Sequence, residues 1–253
     1  MNSEVNITAK KNTQLMRYGA ISLFTMPLCY VCMFVIFGLV LNIPQSDILN
    51  EKIAYIAHNQ GVISIAYIIG YLVFGILLLI TVQASHIMLT KNKSYTLNTA
   101  SAFGFIWVVL MMCSGMIALA GMNTMVNIHA QDQQHAEIVY YVYATVVNAL
   151  GGGIELVGGL WVFLLSIAGL RTQQVTKALC VFGIIVGVLG MLTVYQGLPE
   201  FKKAFGLSQI VWFICKRKYN HTYARMIICL IIELSTREIY YDQTNSSPMA
   251  NHY

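Results

Sequence analysis

Tyr18 to Leu41 runs without a charged residue, and it is the first of several such runs in this chain of 253 residues. A helix needs about 20 largely apolar residues to cross about 30 Å of hydrocarbon. Inside lipid no water is present to satisfy backbone N–H and C=O groups, so only helices and closed barrels cross it. The run is 24 residues long, enough for one such helix. The run exceeds a signal-peptide core, contains Pro27, and ends in bulky Leu39-Val40-Leu41 rather than in small residues. It reads as a retained span.

Further runs follow at Gly61 to about Met88, Thr99 to Met122, Ile138 to Leu170 and Ala178 to Gln196. The fourth is too long for a bilayer, at about 50 Å for a straight helix. It must project into water or break at Gly151-Gly152-Gly153. A sixth run, Phe205 to Cys215, stops at Lys216-Arg217-Lys218. It reaches only about 17 Å as a helix, and a second short run, Met226 to Leu234, is shorter still. The expected fold is all-α, a polytopic transmembrane helical bundle of about six spans with the last incomplete or aberrant. Residues 1–17 form an N-terminal segment, 18–214 the transmembrane domain, and 215–253 an atypical basic tail. The connections Asn42–Gln60 and Asn123–Glu137 are each long enough for a surface helix. Ser46-Asp47 is placed to cap the first, with Ile48, Leu49, Ile53 and Ile56 on one side.

Composition supports lipid as the solvent. Charged residues are 10% of the chain and apolar ones 57%, against about 25% charged in soluble domains. A soluble enzyme, a nucleic-acid binder and a disordered chain are excluded as classes. Lys and Arg collect on cytoplasmic connections. With six spans and a cytoplasmic N-terminus, 12 of the 15 basic residues fall inside and 3 outside. With five spans the split is 7 against 8. The bias favours six spans with both ends in the cytoplasm, or a tail that is not part of the fold. The net charge of +5 is scattered among connections and is not a nucleic-acid footprint.

Glu155 is the one acid or base expected in the middle of a span. Intramembrane ionisable groups are costly and mark candidate sites. On a continuous helix Asn148, Gly152, Glu155 and Gly159 share a face. The candidate intramembrane polar site is Glu155 with Asn148 and His86. Glu155 would bind a proton or cation, or else lock helices together. His86, beside Gln83 and Ser85, is a candidate proton relay. Gly151, Gly152, Gly158 and Gly159, with Gly183-x-x-x-Gly187 and Gly190, allow close helix packing. Cys29 and Cys32 have Cys-x-x-Cys spacing, but an apolar segment does not stabilise thiolates. The other cysteines also lie in or at the end of apolar stretches. His58, His129 and His135 would form a metal site only if the two long connections met. No phosphate loop, nucleophile elbow, zinc-protease helix or dinucleotide fingerprint occurs. The pattern supplies no cofactor and no catalytic set.

The stretch Gly151–Ser166 (GGGIELVGGLWVFLLS) resembles the bacterial domain-of-unknown-function 4386 family of integral membrane proteins. The likeness continues through Leu179–Val194 and Ala204–Ile214. It implies a helical bundle of about six spans in a bacterial inner membrane, and it supplies no substrate, cofactor or catalytic residue. After Ile214 the family pattern continues apolar, whereas here Cys215-Lys216-Arg217-Lys218 follows. The tail is therefore expected to be foreign to the fold. The expected partner is the lipid bilayer, with no nucleic acid and with a homo-oligomer left open. The expected function is a structural, sensory or accessory membrane component without enzymatic activity. The alternatives are a small-molecule or proton-coupled transporter using Glu155, and an intramembrane thiol redox protein using Cys29 and Cys32.

Overall fold

A computed structural model of the protein describes residues 2–41, 48–90 and 94–218, with side chains described for 11–41, 48–90 and 94–216. The described residues are mostly helical, and no strand occurs among them. Helix α1 (Asn2–Val35) continues into a π-helical turn, Ile36–Val40. A short α2 (Leu49–His58) follows. Then α3 (Gln60–Tyr67), a π-turn (Ile68–Val73) and α4 (Phe74–Leu89) make one continuous rod. Next come α5 (Tyr95–His129), α6 (Gln133–Val147) with a π-turn at Asn148–Gly152, α7 (Leu156–Thr172), α8 (Lys177–Leu192) and α9 (Glu200–Lys218).

Four segments are long and apolar enough to cross a membrane: Lys11–Val40, Gln60–Leu89, Tyr95–His129 and Gln133–Thr172. Helix α8 is apolar but shorter. Outward residues of α1 such as Ile21, Phe24, Leu28 and Val31 are as apolar as its buried Ala20, Leu23, Met26 and Cys29. A helix apolar on all sides needs lipid on the faces that do not touch protein.

The main core runs through α1, α4, α5, α7, α8 and α9. At its centre α5 and α7 exchange side chains. Trp161 of α7 lies against Gly104 of α5, and Trp107 of α5 lies against Gly158 of α7. A Cβ at either glycine would stand within 2.7 Å of the indole. Ring contacts link Tyr30, Phe74, Trp107, Trp161 and Trp212 in series. Between α7 and α8 the backbones themselves touch. A Cβ on Gly159 would lie 2.7 Å from the Gly187 carbonyl oxygen, and one on Gly190 would lie 2.7 Å from the Gly159 Cα. Of the expected packing glycines, Gly159 and Gly187 lie at this backbone contact, whereas Gly151 and Gly152 belong to a π-turn. A second, smaller core joins α2, α3, the far end of α5 and α6 through Ile53, Ile63, Met122, Met125 and Ala136.

Several boundaries differ from the sequence reading. The connection Asn123–Glu137 holds no separate surface helix, because α5 runs to His129 and α6 starts at Gln133. Asp132 caps α6 by accepting from the His135 N–H at 3.1 Å, which lets one tight turn join two long helices. A surface helix does form in the other long connection, although Ser46 and Asp47, its expected cap, lie outside the described residues.

The sixth apolar run is longer than it reads from sequence. Helix α9 begins before the apolar residues and continues past Cys215 to Lys218. Lys216, counted from sequence among the tail charges, is buried at 4% exposure. Its Nζ donates to Ser85 Oγ at 2.9 Å and sits 4.8 Å over the Trp212 ring and 5.5 Å over the Trp161 ring. The first basic residue of the expected foreign tail is thus packed against α4 and α7. From residue 219 on, the tail, including Cys229 and the run Met226–Leu234, lies outside the described residues.

Lys216 has no carboxylate partner among the described residues. Replacing a buried charge by an apolar residue of similar size is commonly neutral or stabilising, whereas removing its partner strands it. Lys216→Met should therefore keep or raise the thermal midpoint of the purified protein. Ser85→Ala should cost about 1.5 kcal/mol, the value of a hydrogen bond to a charged group. A midpoint that falls more for Lys216→Met than for Ser85→Ala would overturn this account.

Candidate functional site

The site forms where the helix of the fourth apolar run breaks. Gly151 has φ 137°, a conformation that residues with a Cβ rarely adopt. The Asn148 carbonyl closes the π-turn by accepting from the Gly153 and Ile154 N–H groups. The turn leaves the Val147 carbonyl to accept from Ser114 Oγ of α5 at 3.2 Å. Helix α7 then starts at Leu156, with Glu155 as its N-cap residue. Glu155 is consequently at one end of α7, about 25 Å from Arg171 at the other, and not at the middle of a continuous span. Nor do Asn148, Gly152, Glu155 and Gly159 share one helix face, because the break separates the first two from the last.

The backbone of Glu155 is fixed by a neighbouring helix. Its N–H donates to Thr193 Oγ1 at 2.7 Å, and Thr193 in turn donates to the Gly190 carbonyl at 2.7 Å. The Glu155 carbonyl accepts the first α7 bond from the Gly159 N–H at 2.8 Å. Thr193 is buried at 1% exposure, so removing its hydroxyl leaves a buried donor unsatisfied. Thr193→Val is nearly the same shape and should cost about 1.5 kcal/mol. Thermal unfolding of the purified variant measures this, and an unchanged midpoint would show that the bond is not needed.

The side chain of Glu155 is held much less tightly. Its Oε2 is shut from solvent and has no hydrogen-bond partner. The Trp107 indole lies beside the carboxyl, but its N–H is also left without a partner. Lys202 of α9, beside Gly153, acts on the carboxyl electrostatically. A Cβ on Gly153 would lie 2.6 Å from both Lys202 Nζ and Asn148 Oδ1, so both polar groups rest on that glycine.

Glu155 faces a cavity of about 250 Å³ walled by Tyr30, Phe34, Phe37 and Tyr71, with Met33 and Met111. Three of its walls are π-turns: Phe37 comes from the first, Gly70 and Tyr71 from the second, Gly151 and Gly152 from the third. Such turns are rare and are found frequently at functional sites. A neighbouring cavity of about 270 Å³ shares Phe37, Tyr71 and Gly152, and its walls include Tyr67, Tyr140, Tyr143, Asn148 and Lys52. Tyr30 also reaches inward, donating to Gln209 Oε1 at 3.2 Å, and Gln209 is fully buried with its Nε2 unpartnered.

The other candidates from the sequence are placed elsewhere. His86 Nδ1 is 2.7 Å from Ser101 Oγ on α5, a contact between helices away from both cavities. Asn148 lines the second cavity, so of the three polar candidates Glu155 and Asn148 come together and His86 does not. Cys29 is buried, Cys32 is half-buried, both are free, and neither lines either of these two cavities. His135 is engaged by Asp132, with Nδ1 2.6 Å from Oδ2. The backbone and ring hydrogen bonds from His135 hold the Asp132 carboxyl below its ordinary range. Among the described residues no three His, Cys, Asp or Glu side chains gather as a metal site would require.

The aromatic wall was missed from sequence. Its signal is the spacing Tyr30, Met33, Phe34, Phe37, which repeats at one helix face, and Tyr67 with Tyr71 one turn apart. No family model, curated protein or solved structure matches the chain.

Proposed function

We propose that this chain is a six-span helical protein of a bacterial inner membrane that binds a small organic cation in the Glu155 cavity, as a sensory or accessory component. The observation that carries this reading is a cavity with aromatic walls that Glu155 lines as its one acidic residue. Aromatic faces attract ammonium groups, and a carboxylate fixes them with a charge-assisted bond. Thioethers of Met33 and Met111 add an adaptable apolar surface. Binding suits this lining better than catalysis, since it offers neither a second acid nor a strong nucleophile.

The six-span arrangement takes α8 and α9 as a final pair, of about 24 Å and 28 Å. Arg171 at the end of α7 and Lys177 at the start of α8 support a cytoplasmic placement of that turn, and with it of the N-terminus. The resemblance to the domain-of-unknown-function 4386 family supports the same architecture and membrane.

A second reading, a carrier, is favoured by one feature. The helix is broken at Gly151–Glu155 beside the cavity, and discontinuous helices of this kind hold substrates in secondary transporters. One experiment separates the readings. The full chain is titrated with alkylammonium probes in lipid nanodiscs and then assayed for their flux in proteoliposomes. Saturable binding without flux supports the sensory or accessory reading. Flux that Glu155→Gln abolishes supports the carrier. Absence of binding in wild type rejects both.

A further inference from the structure

The Glu155 cavity does not stand alone. Phe37, Tyr71 and Gly152 line both it and the second cavity, so these residues stand between the two. The two chambers differ in charge. Glu155 lines only the first, and Lys52 of α2 lines only the second. Lys52 is half-buried, and among the described residues it makes no ion pair or hydrogen bond. Between the charges the walls are aromatic: Phe37 meets Tyr67 edge-on at 5.9 Å, and Tyr67 lies 5.7 Å from Tyr71.

We infer that the two chambers join past Phe37 and Tyr71 and bind a zwitterionic amphiphile, with its ammonium at Glu155, its apolar chain through this aromatic waist, and its anionic group at Lys52. This rests on the cation-binding reading of Glu155 and adds the second charge and the shape. Each chamber is smaller than the 300–1,000 Å³ usual for a ligand pocket, and joined they fall within that range. The waist separates the two charges, so the ligand carries them at opposite ends of an extended chain. Adjacent charges, as in a phospholipid headgroup, would leave one chamber without its counter-charge. Lys52 stands on a short helix whose Ile53 is fully buried in the second core, which fixes the lysine relative to the chamber. The second core belongs to the same part of the fold as Tyr140 and Tyr143, so the ligand would touch both cores.

The test compares two probe series on the full chain in nanodiscs: ω-amino fatty acids and alkylamines of the same carbon number. Binding is read by calorimetry. Wild type is expected to bind the best-fitting amino acid about tenfold more tightly than its amine, the size of one added charge contact. Lys52→Ala should erase that advantage while leaving amine binding unchanged. Lys52→Glu should shift preference to the matching diamine, which guards against a merely structural effect of Ala. Equal affinities for the two series in wild type, or an advantage that survives Lys52→Ala, would overturn the inference alone. If the amine does not bind wild type, or binds Glu155→Gln equally well, the underlying cation reading fails as well.

Discussion

Glu155→Gln is expected to weaken binding of an alkylammonium probe about thirtyfold, or about 2 kcal/mol, while changing stability by less than about 0.5 kcal/mol. The two expectations have separate causes. The Glu155 backbone does the structural work: its N–H is held by Thr193 and its carbonyl starts α7. The carboxyl Oε2 completes no hydrogen bond in the fold, with the Trp107 indole and the Lys202 charge as its neighbours. A glutamate that locked helices together would show the opposite pattern, a large loss of stability whatever the ligand. Gln keeps the size and one carbonyl oxygen, so it preserves the cavity while removing the charge that distinguishes a charge-assisted bond from a neutral one. Calorimetry in nanodiscs reads the first effect, and thermal unfolding of the same preparation reads the second. If Glu155→Gln unfolds the protein, the carboxyl is structural and the binding reading falls. If affinity is unchanged with stability intact, the ammonium does not sit at Glu155.

The same residue shows what could be read in advance. Its rarity in an apolar run was visible, because a carboxyl among Gly, Leu and Val is an outlier that composition alone exposes. Its position was not. On a continuous helix Glu155 falls in mid-span beside Gly152 and Gly159. The actual position depends on a π-turn and on Gly151 adopting φ 137°, and three successive glycines permit a break without fixing where it falls. The π-turns at Ile36–Val40 and Ile68–Val73 are harder still to foresee. Each contains a glycine, yet a glycine in an apolar helix is more often a packing contact, as Gly104 and Gly158 are. The four long apolar helices followed from hydrophobic runs because lipid imposes that pattern on sequence. Helix ends did not, since α5 extends beyond its apolar run through polar residues such as Asn123 and Asn127. Lys216 inverted its sequence meaning: a basic residue after an apolar run normally marks the membrane edge, but here two indoles and Ser85 accommodate it.

Gly159→Val is expected to destabilise the protein by about 3 kcal/mol, the upper end for overpacking a tight interface. The reason lies in what the new Cβ would meet. Its nearest neighbours would be backbone atoms of α8: the Gly187 oxygen and the Met191 nitrogen at 2.7 Å, and the Gly190 carbonyl carbon at 2.8 Å. A side chain can rotate away from such contacts, but a helix backbone can only translate as a body. Separating α7 from α8 would also pull Thr193, at the end of α8, from the Glu155 N–H. The packing lesion should therefore reach the site: probe affinity should fall together with stability, unlike the case of Glu155→Gln. Gly187→Ala opposes the same seam, since its Cβ would meet the Gly159 oxygen and the Phe163 backbone nitrogen, both at 2.8 Å. Because the two glycines touch each other, the double variant should cost less than the sum of the single ones, the first separation having already made room for the second. Gly206, around which a Cβ would meet nothing within 4 Å, is the control, and Gly206→Ala should stabilise α9 slightly. Thermal unfolding of the four variants in one detergent measures all of this. Strict additivity, or a Gly159→Val protein as stable as wild type, would mean that α7 and α8 do not pack through their backbones.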